Sequence, residues 1–369
     1  MLYWRFPVVS RRSVLKSAAG VLGAPFFNSG RFRLFAGSSI EYSTMAVDLV
    51  EASNVIDMLG LLTLDFRRLW AWQNRPEDLQ PQQLAKWKSS GITVFHPATG
   101  YTEGDVYSAS LRDIAGWNRL IECRPQDFMR IGTTADLAQV KTSGKIGILI
   151  GQQNSQHFRS VEDVDRFYAM GQRVSQLTYF HNRLGGGSLE PQEGLSDYGS
   201  QIVARMNQLG MAVDVSHCAD RTTLDAVEAS SKPVLITHSN CRTLVPGSPR
   251  CKTDEAIRKV ASKGGVMGVT MIRFFVHNGG SVTIENVLDH IDHIVQISGV
   301  EHAGIGSDVD LDGRDRLPGA HLHSDLDGID YRRKIFDIAE GLVRRGYTRE
   351  HIRLILGGNF QRALSEIWT

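Results

Sequence analysis

Three histidines and one aspartate stand at the ends of short apolar runs between residues 174 and 308. His181, His217 and His238 each close one of these runs, and Asp308 closes another. Imidazole is a common metal ligand, and catalytic zinc typically takes three protein ligands plus a water. Zinc lowers the pKa of that water toward about 7, which makes it a nucleophile at neutral pH. The four residues together therefore predict metal-assisted hydrolysis of an amide-like bond.

Each of the four side chains suits one role in such a reaction. His217 and His238 suit one side of a metal site. The carboxylate of Asp308 is able to accept the proton of the attacking water. His181 suits the hydrogen bond that stabilises the oxyanion of a tetrahedral intermediate.

These side chains meet only if the fold brings the ends of several runs to one edge. From residue 54 onward, eight apolar or β-branched runs alternate with longer amphipathic segments, which is typical of βαβ units and a parallel sheet. Eight units fit one α/β domain, a (β/α)8 TIM barrel over residues 46–369, whose active sites lie at the C-terminal strand ends. An open doubly wound sheet is the alternative fold. The eight runs are 54–57, 92–96, 145–151, 174–181, 211–217, 233–238, 265–272 and 302–308.

The composition is globular and excludes several classes of function. The 369 residues contain 41 Lys or Arg and 40 Asp or Glu, so the net charge of +1 provides no basic excess for binding nucleic acid. No run of about 18 apolar residues is present, so no transmembrane segment is expected. A Gly-x-Gly-x-x-Gly motif after the first strand, which would indicate dinucleotide binding, is missing. The four cysteines are too few for a disulfide scaffold.

Residues 1–45 are interpreted as an export signal with its flanking segment, outside the barrel. Arg11 and Arg12 lie in a twin-arginine pattern (SRRSVLK), which the apolar segment AAGVLGAPFF follows. A charged region before an apolar stretch of roughly 7–15 residues is typical of a targeting signal. We therefore predict export by the twin-arginine route to the periplasm or another extracytoplasmic compartment. An ordinary basic terminus is the alternative.

Several segments resemble the membrane (renal-type) dipeptidase family. The resemblance covers roughly residues 50–369 and is strongest from about residue 170 onward. Two segments are similar to the fifth strand of that family and the helix before it, and two others to its sixth and last strands. A fifth segment fits its final helix. The segments are GLSDYG (194–199), MNQLGMAVDVSH (206–217), PVLITHSN (233–240), GIGSDVD (304–310) and GGNFQR (357–362).

The resemblance implies a (β/α)8 metallopeptidase of dipeptides with two zinc ions bridged by a glutamate. By position, His217 and His238 match the two histidines of one zinc. Asp308 matches the residue that manages the proton of the bridging water, and His181 matches the histidine that faces the substrate carbonyl. Arg250 matches the arginine that binds the terminal carboxylate of the substrate, a role that suits its planar guanidinium.

The sequence departs from the family pattern at three metal ligands. The first strand of the family ends in Asp-x-His-x-Asp, whereas this chain reads Asp-Met-Leu-Gly-Leu, so Leu59 and Leu61 stand in the ligand positions. Gln153 stands in the place of the bridging glutamate, and its neutral amide is a poor bridge between dications. We therefore expect one zinc ion on His217 and His238, with a weak contribution from Gln153, and we do not expect two.

Two functions from different classes follow. The first is a metal-dependent hydrolase of a dipeptide or related amide with an altered or single-metal site, in which Asp308 or Asp310 supplies missing negative charge. The second is a catalytically divergent member that binds or matures a peptide-like ligand without dipeptidase activity. Family members are often dimeric, so the resemblance is compatible with a homodimer.

Overall fold

The structure, a computed structural model, describes residues 30–32, 41–100, 103–317 and 323–369. Two short strands near the N-terminus pair antiparallel with each other, and the other ten strands form one parallel sheet. The strands are β1 (Arg31–Phe32), β2 (Tyr42–Ser43), β3 (Ile56–Asp57), β4 (Val94–Phe95), β5 (Phe128–Ile131), β6 (Ile146–Leu149), β7 (Gly151–Gln152), β8 (Val174–Gln176), β9 (Ala212–Asp214), β10 (Val234–Ser239), β11 (Met267–Val269) and β12 (Ala303–Ile305).

The ten-stranded sheet closes into a ring of eight staves. Its order is β5-β6-β4-β3-β12-β11-β10-β9-β8-β7, and every pairing is parallel. Only Ile150 separates β6 from β7, so the two form one stave that pairs with β4 on one side and β8 on the other. β5 lies outside the ring beside β6. The predicted (β/α)8 TIM barrel is confirmed, and its eight staves lie in the eight predicted runs.

Helices connect the staves and surround the ring. The α-helices are α1 (Thr44–Ala52), α2 (Phe66–Asn74), α3 (Pro81–Ser89), α4 (Val106–Cys123), α5 (Thr134–Ser143), α6 (Glu162–Ala169), α7 (Asp197–Leu209), α8 (Asp220–Ala229), α9 (Asp254–Ser262), α10 (Arg273–Val276), α11 (Ile284–Ser298), α12 (Lys334–Arg344), α13 (Arg349–Arg353) and α14 (Asn359–Ile367). Short 3-10 turns occupy Pro76–Asp78, Ser155–His157, Val300–His302 and Tyr331–Arg333, and a π-helical turn occupies Leu354–Gly358.

Local sequence signals set the ends of the helices that precede the site. The side chain of Ser196 accepts a hydrogen bond from the Gly199 N–H at 2.9 Å and so caps the start of α7. Gly210 ends α7 in the left-handed conformation, with φ 79°, which glycine adopts without a steric penalty. Because α7 ends at Gly210, β9 begins directly afterwards, and this determines where His217 leaves the sheet.

The bottom of the barrel, at the N-terminal strand ends, is closed by the C-terminal helix. Phe360, Leu364 and Ile367 of α14 are buried in one apolar cluster with residues of the strands, such as Ile56 and Leu235. Continuous apolar strands suit a parallel sheet that is covered on both faces. Because helix α14 fills this end, a ligand reaches the barrel only from the opposite end, at the C-terminal strand ends.

Four further expectations from the sequence concern a membrane span, the cysteines, export and the length of one strand. No helix in the described ranges combines the length and the apolar character that spanning a bilayer requires. All four cysteines are free thiols, and Cys123 alone among them is exposed. The twin-arginine pattern lies outside the described residues, so export stays a prediction. The run 174–181 was expected to be a strand throughout, but β8 ends at Gln176, and this shorter strand changes the position of His181.

Candidate active site

Two imidazoles meet at the C-terminal end of the barrel. β9 and β10 are adjacent parallel staves, and His217 follows the end of β9 while His238 lies near the end of β10. Their Nε2 atoms are 3.0 Å apart. Two nitrogens bound to one tetrahedral zinc at about 2.0–2.1 Å would lie roughly 3.3 Å apart. The pair is therefore within a few tenths of an ångström of the spacing of two ligands on one ion.

A hydrogen-bond chain behind His238 fixes which of its nitrogens carries the proton. Thr237 Oγ1 donates to Asp214 Oδ2 at 2.7 Å, so it accepts from His238 Nδ1 at 2.8 Å. The proton is thereby assigned to Nδ1, and Nε2 keeps its lone pair. Partners of this kind orient metal-binding histidines and raise their affinity for the metal. Asp214 also accepts from the Ser216 and Thr237 backbone N–H groups, at 2.9 and 3.0 Å.

Both imidazoles are held in the neutral form that binds metals. Burial lowers the pKa of His217 and of His238 well below the usual value, and the positive charge of Arg250 lowers both further. His217 lines the cavity at the barrel mouth, and His238 is fully buried behind it. Desolvation and a nearby cation both disfavour the protonated imidazolium.

The remaining ligand positions of the family hold no comparable donors. Leu59 and Leu61 are buried in a small apolar cluster with Leu64 and Ala98. Gln153 Nε2 donates to the Ala98 carbonyl oxygen at 2.9 Å, so its amide turns its nitrogen toward this cluster. In the part of the chain that the structure describes, no three or more His, Cys, Asp or Glu side chains converge as metal ligands. Among the described residues, the two imidazoles therefore stand without a third metal-binding side chain beside them, where catalytic zinc usually takes three.

Asp308 reaches the mouth through an uncommon backbone conformation. Its φ of 58° lies in the left-handed region, and no other non-glycine residue in the described ranges has a positive φ. Aspartate adopts this region more readily than most residues do, and such conformations are enriched at functional sites. Burial raises the pKa of the Asp308 carboxyl, while the charges of Arg314 and Arg250 oppose the rise. Arg314 Nη2 donates to Asp308 Oδ1 at 2.7 Å.

Asp310, the alternative source of negative charge, is committed to the backbone. Its carboxylate accepts the N–H groups of Leu64 at 2.8 Å, Asp312 at 2.8 Å and Gly313 at 2.9 Å. These bonds hold the loop that follows β12. The carboxylate therefore organises this loop instead of facing the histidine pair.

Arg250 is buried behind the imidazole pair. Its Nη1 donates to the Ser216 carbonyl oxygen at 2.7 Å and to Ser239 Oγ at 3.0 Å, and its Nη2 donates to the His238 carbonyl oxygen at 2.7 Å. The side chain is only 6% exposed. Arg250 thus joins the ends of β9 and β10.

His181 lies away from this group of residues. Its side chain is 58% exposed, and its Nδ1 contacts the Glu193 carboxylate on the surface. Because β8 ends at Gln176, the chain turns before residue 181 and directs this imidazole outward. Tyr179, two residues earlier, lines the cavity instead.

Tyr179 packs against the imidazole pair and against Gly100. Its ring stacks on the His217 imidazole with 4.1 Å between ring centres and a 23° interplanar angle. A Cβ atom at Gly100 would come within 2.9 Å of the tyrosine ring. A larger residue at position 100 would therefore force the ring to shift. Among the described residues, the Tyr179 hydroxyl has no hydrogen-bond partner.

The mouth encloses a cavity of about 350 Å³. Its polar wall contains His217 and Asp308, and its other walls are largely apolar. The lining residues are Leu61, Leu64, Phe66, Ala98, Thr99, Gly100, Gln153, Tyr179, His217, Ile272, Phe274, Phe275, Asp308 and Arg314.

Sequence reasoning missed Tyr179, Arg314 and His96. His96 directly follows β4, and the histidine that closes run 92–96 was an available signal of the same kind as His217. It is buried, its Nδ1 bonds the Leu149 carbonyl oxygen at 2.8 Å, and burial lowers its pKa. Neither a strand end nor a motif marked Tyr179 or Arg314.

Comparison with known proteins gives the same family by sequence. The model of the membrane dipeptidase family, peptidase family M19, matches residues 45–369. An uncharacterized dipeptidase of Schizosaccharomyces pombe is 33% identical over 303 residues, which cover 77% of this chain and 69% of that protein. The dipeptidase tcpJ of Claviceps purpurea is 28% identical over 272 residues, which cover 71% of this chain and 61% of that protein.

Solved structures share the fold. An amidohydrolase from Pseudomonas aeruginosa is 29% identical and superposes with a TM-score of 0.76 over 88% of this chain and 99% of its own. A metallopeptidase from Rhodobacter sphaeroides, solved with a phosphinate mimic of the dipeptide L-Ala-D-Ala, has a TM-score of 0.73 at 20% identity, over 86% of this chain and 99% of its own. With the family match over residues 45–369, the conclusion is direct: this chain belongs to the membrane dipeptidase family.

Proposed function

We propose that this chain hydrolyses a dipeptide or a related amide with one zinc ion held by His217 and His238. The observation that carries the proposal is the imidazole pair, with its Nε2 atoms 3.0 Å apart and the lone pair of His238 set by Thr237 and Asp214. A zinc ion at this pair would supply Lewis acidity to the reaction. Leu59 and Leu61 leave no ligands for a second ion.

The carboxyl of Asp308 moves the proton in the proposed reaction. Its raised pKa brings the group closer to the range in which it both accepts and returns a proton. It accepts the proton of the attacking water and delivers it to the leaving amine. Arg314 orients the carboxylate by bonding Oδ1 and the backbone carbonyl of the same residue.

The Tyr179 hydroxyl takes the role that the family resemblance gave to His181. Burial raises the pKa of Tyr179, and the negative charge of Asp308 raises it further, so the hydroxyl keeps its proton. A neutral O–H donor at the cavity wall suits the carbonyl oxygen that gains negative charge during hydrolysis. The stack on His217 holds this donor beside the imidazole pair.

The test measures zinc and turnover together. The purified chain is analysed for bound metal and assayed against L-L and L-D dipeptides with added zinc. We expect about one zinc per chain, and we expect His217→Ala to remove it and to lower turnover roughly a thousandfold, because metal catalysis contributes several kcal/mol. His351→Ala, on α13 and away from the mouth, is the matched control and should change neither value.

Absence of zinc together with absence of cleavage would contradict this proposal. That result would favour a divergent member of the family that binds or matures a peptide-like ligand, for which the apolar walls of the mouth provide a surface. Hydrolysis with two zinc ions per chain would contradict the single-metal site alone. Export by the twin-arginine route and assembly as a homodimer stay predictions.

A further inference from the structure

A second cavity lies in the groove between helices α2 and α4, among the helices that surround the barrel. Its volume of about 630 Å³ exceeds the volume of about 350 Å³ at the mouth, and no described residue lines both cavities. Side chains of α2 form one wall of the groove and side chains of α4 form the other. The groove is therefore a concave surface separate from the proposed active site.

The α4 wall carries two arginines with small residues between them. Arg112, Gly116 and Arg119 are four and then three residues apart, so they lie on one face of the helix. Ala115 also lines the groove and, like Gly116, leaves room beside the guanidinium groups. Both arginines are exposed, and among the described residues neither forms a hydrogen bond or an ion pair. The wall thus keeps two cations available to an anionic group.

Two buried polar atoms of the groove lining have no hydrogen-bond partner. They are Asp113 Oδ1 and Gln73 Nε2, in residues that are only 2% and 3% exposed. The other oxygen of this carboxylate, Oδ2, accepts from Thr99 Oγ1 at 2.8 Å and from Gln152 Nε2 at 2.9 Å. Because a buried polar atom without a partner is unfavourable, the two atoms favour a ligand that bonds both.

The two atoms specify the edge of such a ligand. Burial raises the pKa of Asp113 to about 6, and the hydrogen bonds to its carboxylate, with the nearby Gln73 amide, oppose the rise. The carboxylate is therefore mostly ionised at neutral pH and accepts, whereas Gln73 Nε2 donates. A ligand that satisfies both carries a carbonyl acceptor next to an N–H donor, as a lactam does. Guanine has this edge, with O6 as the acceptor and N–H groups beside it.

Trp70 gives the groove an aromatic wall. Its side chain is 46% exposed. In the same helix, Trp72 is only 6% exposed and packs edge-on against Trp87. An exposed tryptophan in a concave site offers a flat face on which a planar ring stacks. The groove thus combines a stacking surface, a donor–acceptor pair and two cations.

We propose that the groove between α2 and α4 binds a planar heterocycle that carries a lactam edge and an anionic arm, the chemistry of a nucleoside monophosphate. The ring stacks on Trp70, and its lactam edge bonds Gln73 and Asp113. The anionic arm pairs with Arg112 and Arg119. This second site does not depend on the proposed function at the mouth.

The test uses guanosine monophosphate and two fragments of it. Guanosine lacks the phosphate, and ribose phosphate lacks the base. Each compound is titrated calorimetrically into the full chain, in buffer without added zinc. We expect the nucleotide to bind at least tenfold more tightly than either fragment, because base stacking and charge-assisted hydrogen bonds both contribute.

Substitutions of exposed side chains separate the parts of the site. Trp70→Ala should weaken binding of the nucleotide about tenfold, since the stacking surface is lost. Arg112→Gln together with Arg119→Gln should weaken it at least tenfold and leave the affinity for guanosine unchanged. Arg67→Gln is the matched control, because Arg67 is exposed on α2 and does not line the groove. Its affinity for the nucleotide should equal that of the unchanged chain.

Asp113→Asn tests the lactam edge. The donors Thr99 and Gln152 require an oxygen at the position of Oδ2, so the amide nitrogen takes the position of Oδ1 and presents a donor in place of an acceptor. Nucleotide affinity should fall about tenfold. If this variant does not fold, the substitutions at positions 70, 112 and 119 decide, since those residues are exposed.

His217→Ala shows whether the nucleotide binds in the groove. His217 lines the mouth and not the groove, so this variant should bind the nucleotide as the unchanged chain does, and a loss of binding would place the ligand at the mouth and overturn the inference. Equal affinity for the nucleotide and ribose phosphate would contradict the role of the ring. Unchanged affinity in a folded Trp70→Ala chain, or no binding of the nucleotide at all, would also overturn the proposal.

Discussion

The mouth of the barrel has two halves that are built on different physical principles. The polar half lies on β9 and β10, where His217 and His238 meet in front of Asp214 and Thr237. The apolar half lies after β3 and β4, where leucines and Ala98 form a cluster of their own. In the polar half, hydrogen bonds set the direction of each donor, and in the apolar half only packing determines where the side chains lie.

The contrast extends to the residues that support each half. Behind the apolar half, Asp57 and Lys334 form a fully buried ion pair of 3.1 Å. Lys334 Nζ also donates to Ser307 Oγ at 2.6 Å and to the Val309 carbonyl oxygen at 3.1 Å. The polar half thus keeps the groups that orient His238, whereas the apolar half keeps only groups that hold β3 to β12. In the proposed function, metal binding and structural support are therefore separated across the mouth.

Removing the buried lysine should have the largest effect on stability. Lys334→Ala leaves the Asp57 carboxylate buried without its cation, and breaking a buried pair in this way typically costs about 3–5 kcal/mol. The free energy of unfolding from urea denaturation measures the loss. Lys88→Ala, which removes a partly exposed lysine 4.0 Å from Asp127, should cost about 1 kcal/mol or less. Equal losses in the two variants would mean that the apolar half has no special support.

Removing the Thr237 hydroxyl should weaken zinc binding in the polar half, and it should lower the free energy of unfolding less than Lys334→Ala does. In Thr237→Val, the Nδ1 proton of His238 loses its acceptor, and loss of such a partner typically weakens metal affinity by about 10–100-fold. Zinc affinity measured by competition with a chelator tests this expectation.

Thr222→Val is the control for this hydroxyl. Thr222 is equally buried, and its hydroxyl bonds the Glu193 carbonyl oxygen at 2.7 Å, away from the imidazole pair. Its zinc affinity should equal that of the unchanged chain. Unaltered affinity in Thr237→Val would show that the hydrogen-bond chain does not prepare His238 for metal.

Replacing the three residues that stand in family ligand positions by zinc ligands should give the apolar half a metal site, as is proposed for the polar half. Leu59→His, Leu61→Asp and Gln153→Glu together should raise the zinc content from about one to about two ions per chain, since all three ligand types bind zinc. The thermal stability of this variant should also become dependent on zinc, because unliganded polar groups would be buried there.

The control for the rebuilt site keeps the apolar character of the first strand. Leu59→Met and Leu61→Met together should leave the zinc content at about one, since methionine adds no anionic or imidazole ligand there. If the rebuilt variant holds no additional zinc, the alignment of this strand with the family pattern is wrong.

Much of the fold was predictable because its signals are local. Staves buried on both faces read as continuous apolar runs, and helix stops such as Gly210 follow from one residue. β5 was missed because it lies outside the ring, and two of its four residues, Met129 and Arg130, are only partly buried. The positions of His217 and His238 on adjacent staves also follow from chain order.

The orientation of the cavity side chains was less predictable. Whether Tyr179 or His181 enters the cavity depends on the end of β8 and on the room that Gly100 leaves, and neither is visible in the residues around position 180. The hydrogen bonds of Arg250 were not predictable either. The guanidinium donates to the carbonyl oxygens of Ser216 and His238, which are distant from it in sequence.

By itself, the sequence determined the number of staves, the family and the chemistry that the side chains can perform, because periodicity and residue type are written along the chain. Only the tertiary structure decided which groups share the mouth: Arg314 and Tyr179 inside it, His181 outside it and Arg250 behind it. The physical reason is that hydrogen bonds and packing between residues distant in sequence determine side-chain direction. A strand that is shorter by a few residues is enough to change which side chain faces the ligand.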